Sequence, residues 1–200
     1  MKTEDFVASE LQAHPGLDTT SCYHKIVMAR YFGLVLFNNH SSYYFLTEAG
    51  SVYSKANNPN KKIDAILKAL TSVTFGRNNN AVGSNSDIEA PVVMLKAIAA
   101  MGAASMTQIG LILYHMDINN KTLSEAIDEV LKCEDISAMR RHLTENRNSK
   151  YFDVKFNKLF EELGIVTKAQ GNYILSSYVK EKHLDFIVYL KKIYYLCSPL

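Results

Sequence analysis

Arg77-Asn78-Asn79-Asn80 sets one guanidinium and three carboxamides on four consecutive residues. Such side chains form paired hydrogen bonds with guanine and adenine edges in a major groove, so the cluster is a candidate reader of bases. Lysines recur at Lys150, Lys155 and Lys158, with Asn157 among them, and a smaller polar set is Ser21, His24 and Lys25. An ammonium group neutralises phosphate without reading sequence, so these two sets would position a nucleic acid more than specify it. Two further polar groups are Asn38-Asn39-His40, and Lys168 with Gln170 and Asn172. Each also has a plainer explanation. Solvated helix faces carry lysine and serine, turns take asparagine and glycine for backbone reasons, and the Arg77 cluster fits an ordinary polar linker.

Catalytic patterns are sparse. Asp153-Val154-Lys155 reproduces the acidic, spacer, lysine tripeptide that can stand beside a nuclease magnesium ion, and Asp87 or Glu89 would be needed as a second carboxylate. Its neighbours are spaced as on a helix, however, and so short a pattern recurs by chance. The histidines show no HExxH spacing and the cysteines no CxxC pair, and neither GxxxxGK[ST] nor GxGxxG occurs. No cofactor is expected, and magnesium enters only with the nuclease reading. Arg140, Arg141 and Arg147 lie beside Glu134, Asp135 and Glu145, which predicts local ion pairs.

Composition narrows the classes. With 22 Lys plus Arg against 20 Asp plus Glu and a net charge of +2, any nucleic-acid surface must be local. Two hundred residues that are 48% apolar suffice for one or two domains with proper cores. Cys22, Cys133 and Cys197 are odd in number and suit reduced thiols. The start Met1-Lys2-Thr3-Glu4-Asp5 does not read as a signal peptide, and no apolar run approaches the ~20 residues of a membrane span. A cytoplasmic protein without a membrane partner is the expectation.

The elements that must position these side chains are announced by a repeat. Phe32-Gly33-Leu34-Val35 runs on to Tyr44-Phe45-Leu46-Thr47, and Leu163-Gly164-Ile165-Val166 runs on to Tyr173-Ile174-Leu175-Ser176. In each copy an amphipathic helix ends at a glycine, an apolar strand follows, a polar turn intervenes and a second strand closes at a hydroxyl residue. That is a helix followed by a β-hairpin, the outline of a winged helix. Around the first copy the spacing predicts a helix from Thr19 to Tyr31 that turns Tyr23, Ile26 and Val27 inward and leaves Ser21, His24 and Lys25 in solvent. Around the second it predicts one helix from Ser149 to Leu163 with its lysines outward. Thr107 is a candidate cap for a helix through Ile109 to Leu113, Thr122 or Ser124 for one over Leu123 to Leu131, and a closing helix is expected from about Val179 to Leu196. The polar Asn57-Asn58-Pro59-Asn60-Lys61-Lys62 reads as a boundary, and 76–86 as a loop. The expected fold is α+β and mainly α: two winged-helix units with short β-hairpin wings, 1–58 and a helix-enlarged 59–200.

Tyr43-Tyr44-Phe45-Leu46-Thr47-Glu48-Ala49-Gly50-Ser51-Val52-Tyr53-Ser54-Lys55, with an Ile- and Leu-rich helix after it, resembles the DNA-recognition region of Fok-type type IIS restriction endonucleases. Leu163-Gly164-Ile165-Val166 is similar to the signature of a further winged unit in that family. The resemblance, over about residues 20 to 180, implies a tandem winged-helix region that reads a short asymmetric double-stranded DNA site. The stretch after the second hairpin is short for the family's nuclease domain, so cleavage is not carried over and a separate nuclease domain or subunit is the implied partner. Two alternatives stand beside this reading: a compact magnesium-dependent nuclease built on Asp153 and Lys155, and a winged-helix regulator or protein-interaction module.

Overall fold

The computed structural model describes residues 2–13, 16, 18–38, 41–72, 90–146, 148–152 and 156–183. It is mainly helical with two small antiparallel sheets, as the α+β expectation holds. The loop at 76–86, Asp87, Glu89, Arg147, Asp153, Lys155 and the segment from 184 onward lie outside the described residues. Two compact units divide the chain, Met1–Phe75 and Gly76–Leu200.

The first unit runs α1 (Thr3–Ala13), α2 (Thr19–Tyr31), β1 (Val35–Asn38), β2 (Tyr43–Leu46), α3 (Glu48–Lys55) and α4 (Pro59–Ser72). Helix α1 packs on α2, α2 on β1, and α4 on α3. The division at 58 is therefore corrected: α4 belongs with the first unit. The polar residues taken for a linker are a helix start. Asn58 accepts a hydrogen bond from the Lys61 amide through Oδ1 at 2.9 Å, as an N-cap does, and Pro59 occupies the first helical position, where its missing N–H costs nothing. Behind that cap Ile63, Ile66, Leu67 and Leu70 are buried. On α2 the inward face is Cys22 and Ile26, while Tyr23 and Val27 are exposed, Val27 by 58%. Both spacings are helical, and only the packing of α1 and β1 chose between two stripes about 100° apart.

The second unit runs α5 (Ala90–Met101), β3 (Ala104–Ser105), α6 (Met106–Ile118), α7 (Leu123–Lys132), α8 (Ile136–Glu145), a 3-10 turn at Ser149–Tyr151, α9 (Phe156–Glu162), β4 (Val166–Ala169), β5 (Asn172–Leu175) and α10 (Ser177–Lys182). Every residue of α5 from Ala90 to Ile98 is buried, which makes it the central helix. Its sheet has the order β3-β5-β4, all antiparallel, with Ala104 opposite Tyr173 and Val166 opposite Leu175.

Side-chain caps fix the helix starts. Ser105, not Thr107, begins α6: its Oγ accepts from the Gln108 amide at 3.2 Å while Gln108 Oε1 accepts from the Ser105 amide at 2.8 Å, a reciprocal capping box. Thr122 and Glu125 form the same box at α7, and Asp135 caps α8 through the Ala138 amide. The single helix expected from Ser149 to Leu163 is instead a 3-10 turn and the short α9. Tyr151 explains the break, because the turn buries its ring completely and brings its hydroxyl to donate to Asp117 of α6. The expected closing helix starts earlier and stops sooner, α10 ending at Lys182 with His183 as its cap.

Candidate nucleic-acid interface

The two copies of the repeat fold alike. At the end of α2 the Gly33 amide donates to Arg30 O at 3.0 Å and the Leu34 amide to Ala29 O at 2.8 Å; at the end of α9 the Gly164 amide donates to Glu161 O at 3.0 Å and the Ile165 amide to Phe160 O at 2.9 Å. This crossed pair is the Schellman arrangement, which needs a residue at positive φ, and Gly33 and Gly164 stand at +63° and +71°. After each hairpin the chain returns to the same point. The amides of Thr47 and Ser176 donate to Leu34 O and Ile165 O, both at 3.0 Å. Each hydroxyl then caps the next helix, Thr47 accepting from the Gly50 amide and Ser176 from the Val179 amide.

The hairpin tips differ. The turn between β4 and β5 is only Gln170-Gly171, at φ of +49° and +82°, so Lys168 lies on β4 and Asn172 opens β5 rather than belonging to the turn. Two consecutive left-handed residues give the primed turn that suits the twist of a hairpin. Thr167, Lys168, Ala169, Gln170 and Gly171 are all exposed. Lys168 Nζ lies 5.7 Å from the centroid of the Tyr173 ring, whose hydroxyl accepts from Asn157 Nδ2 of α9 at 2.8 Å. One buried tyrosine thus ties the helix to the wing. In the first hairpin Asn38 is the last residue of β1, and its Oδ1 accepts from the Ser41 amide at 3.2 Å, a turn-forming duty.

The other candidates separate into engaged and outlying groups. Lys25 is ion-paired with Glu10 of α1. Lys150 pairs with Asp117 at 3.5 Å and lies 4.7 Å from the Tyr151 ring centroid, so it belongs to the buried turn and not to the face of α9. Lys158 is exposed on α9, where its exposed neighbours are Glu161 and Glu162. Those two carboxylates were missed, although their spacing from Lys158 places them on the same side of a helix. Ser21 and His24 lie on α2. Asn39, His40, Arg77, Asn78, Asn79, Asn80 and Lys155 lie outside the described residues. Arg140 reaches Thr107 Oγ1 at 3.4 Å and sits over the Phe152 ring, and Asp135 serves as a cap, so the arginine ion pairs expected around α8 do not form among the described residues.

Electrostatics single out two buried groups. His115 on α6 is buried, its Nδ1 is 2.9 Å from Asn119 Nδ2, and burial pulls its pKa below the ordinary value, partly opposed by Glu129. Burial, followed by the Asp117 carboxylate beside it, pushes the Tyr151 hydroxyl well above the ordinary phenol range. Both groups are structural in position, bracing α6 against its neighbours. Among the described residues no three His, Cys, Asp or Glu side chains gather as a metal site would require, and no described helix is long and apolar enough to cross a membrane. The chain matches no protein-family model and no curated protein.

Proposed function

We propose that the protein binds double-stranded DNA through the second unit, with α9 and the β4–β5 tip as the contacting elements. The observation that carries this reading is the order β3-β5-β4, with α6 springing directly from β3 and α9 leading into β4. A small strand that pairs with the last strand of a wing is the sheet plan of a winged helix, here with α7 and α8 added between its helices. Lys158, Lys168 and Gln170 are its contacts, two for phosphate and one amide for a base edge. Lys25 and Lys150, already paired to carboxylates, are secondary. In this reading the protein is a recognition module of the restriction type, with cleavage supplied by another domain or subunit.

Fluorescence anisotropy with a mixed set of duplexes tests it. Binding should weaken as salt rises, and Lys158→Ala with Lys168→Ala should lower the salt slope by about 0.9 for each lost phosphate contact. A chain that binds no duplex more tightly than about micromolar at low salt ends the proposal. Glu161 and Glu162 on the exposed side of α9 favour a second reading, a protein-interaction module, and a salt-insensitive absence of DNA binding would select it.

A further inference from the structure

Strand β2 has the composition of an inner strand and the surroundings of an outer one. Tyr43-Tyr44-Phe45-Leu46 is a continuous apolar run, the pattern of a strand covered on both faces. Yet Phe45 is 52% and Leu46 60% exposed, and as neighbours along a strand they point to opposite faces. Leu36, directly across from Phe45 on β1, is 57% exposed. Both faces are thus wet at the same place. Among the described residues β2 pairs only with β1, leaving its other edge without a strand.

Exposed edges are ordinarily protected by charge, proline, a bulge or a covering element. Residues 34–47 contain no Asp, Glu, Lys, Arg or Pro. In the second hairpin β3 occupies one edge of β5, and the outer strand β4 carries Thr167 and Lys168. The cation that reaches β2 comes from elsewhere, Lys2 Nζ lying 5.9 Å from the Tyr43 ring centroid.

We infer that β2 is the seam of a two-fold dimer, in which Tyr43–Leu46 pairs antiparallel with the same strand of a second copy to make a four-stranded sheet. Antiparallel self-pairing about a two-fold is register-matched by construction. It would set Tyr44 against Phe45 and Tyr43 against Leu46, the aromatic and aliphatic cross-strand pairs that stabilise sheets. An uncharged strand offers no counter-charge to an acidic or basic partner, which is why a second copy is the occupant. Half-exposed Tyr43, Phe45 and Leu46 leave on the order of 100 Å² each, well below the ~800 Å² per partner of a standard interface, so the dimer is a weak one.

Sedimentation velocity of the full chain from about 1 to 100 µM should show a reversible monomer–dimer shift, with a midpoint at tens of micromolar. Phe45→Lys with Leu46→Lys should weaken it at least about ten-fold while helix content stays unchanged, because both side chains are exposed. Should that variant not fold, hydrogen exchange on the unaltered chain decides: protection of the Tyr43–Leu46 amides should rise several-fold between the two concentrations. A monomer throughout, a dimer of unchanged strength in the folded variant, or protection gained only outside β2 would each overturn the inference.

Discussion

Where the chain leaves α2 at Gly33 and where it leaves α9 at Gly164, the same crossed carbonyl bonds and the same hydroxyl cap form, yet the strands that follow have opposite fates. β5 buries Tyr173 and Leu175 beneath its neighbours, while β2 leaves Tyr43, Phe45 and Leu46 in solvent. The difference is a two-residue strand. With β3 in place, β5 is the middle of a sheet that α5 covers; without an equivalent, β2 is an edge. Local sequence can therefore specify a helix exit and a hairpin twice over, whereas the use of that hairpin depends on what arrives from elsewhere in the chain.

The sharpest way to break the equivalence is at the third residue of the capped helices, Gly50 in one copy and Val179 in the other. A Cβ on Gly50 would overlap the Leu34 carbonyl, with the carbonyl carbon only 2.8 Å away, so Gly50→Ala should cost the first unit about 3 kcal/mol or more. Val179→Ala, which removes buried methyl groups without a clash, should cost the second about 1–2 kcal/mol. Urea denaturation of both variants measures the pair, and equal costs would mean that α3 does not approach its hairpin more closely than α10 does.

The next effect lies in the brace that only the second unit has. Tyr151→Phe deletes the hydroxyl that donates to Asp117 and should destabilise that unit by roughly 2 kcal/mol. Lys25→Ala, which removes a partly exposed ion pair with Glu10, should change the first unit by less than about 1 kcal/mol. A smaller Tyr151 effect would mean that the 3-10 turn is held by packing alone.

Gly33→Ala and Gly164→Ala are expected to cost about 1 kcal/mol each, since both force a side chain into the left-handed region. The comparison rests on their being alike. A twofold or larger disparity in thermal or chemical unfolding would show that one Schellman turn carries more than its backbone geometry.

Acid should distinguish the units more gently. Burial first, against the pull of Glu129, lowers the pKa of His115 below its ordinary 6.5. The unfolded chain takes up a proton as pH falls through that ordinary value, while the folded imidazole resists. Stability of the second unit is accordingly full above about pH 6.5 and declines below it, down to the folded value. Amide exchange in α5 and α6 at neutral and mildly acidic pH should report the loss, and His115→Gln should flatten it. An identical decline in that variant would assign the acid sensitivity to other groups.

Much of the framework is legible in the residues. The two glycines, the apolar strands and the hydroxyl caps predicted both hairpins, and the apolar spacing of α4 through α8 placed those helices. Ser105-x-x-Gln108 carries a capping box in plain view, and it was passed over for Thr107 because β3, two residues long, has no periodicity to mark it. Tyr23 and Val27 on α2 could not be told from the inward stripe, since both spacings are helical and only α1 and β1 choose. The lysine set Lys150, Lys155 and Lys158 was read as one face of one helix. A tyrosine that reaches 34 residues back to Asp117 turned the first of them away, and no local pattern encodes that bond.

The sequence by itself determined the places where the backbone must turn and where helices must begin, because positive φ demands glycine and orphan amides demand an oxygen within three residues. Its net charge of +2 also confined any phosphate-binding surface to a patch. Only the tertiary structure decided which apolar stripe is core, which lysines are already paired, and which hairpin acquires a third strand. Those outcomes depend on contacts between residues far apart in the chain, such as Ala104 with Tyr173, whose energies no local spacing contains.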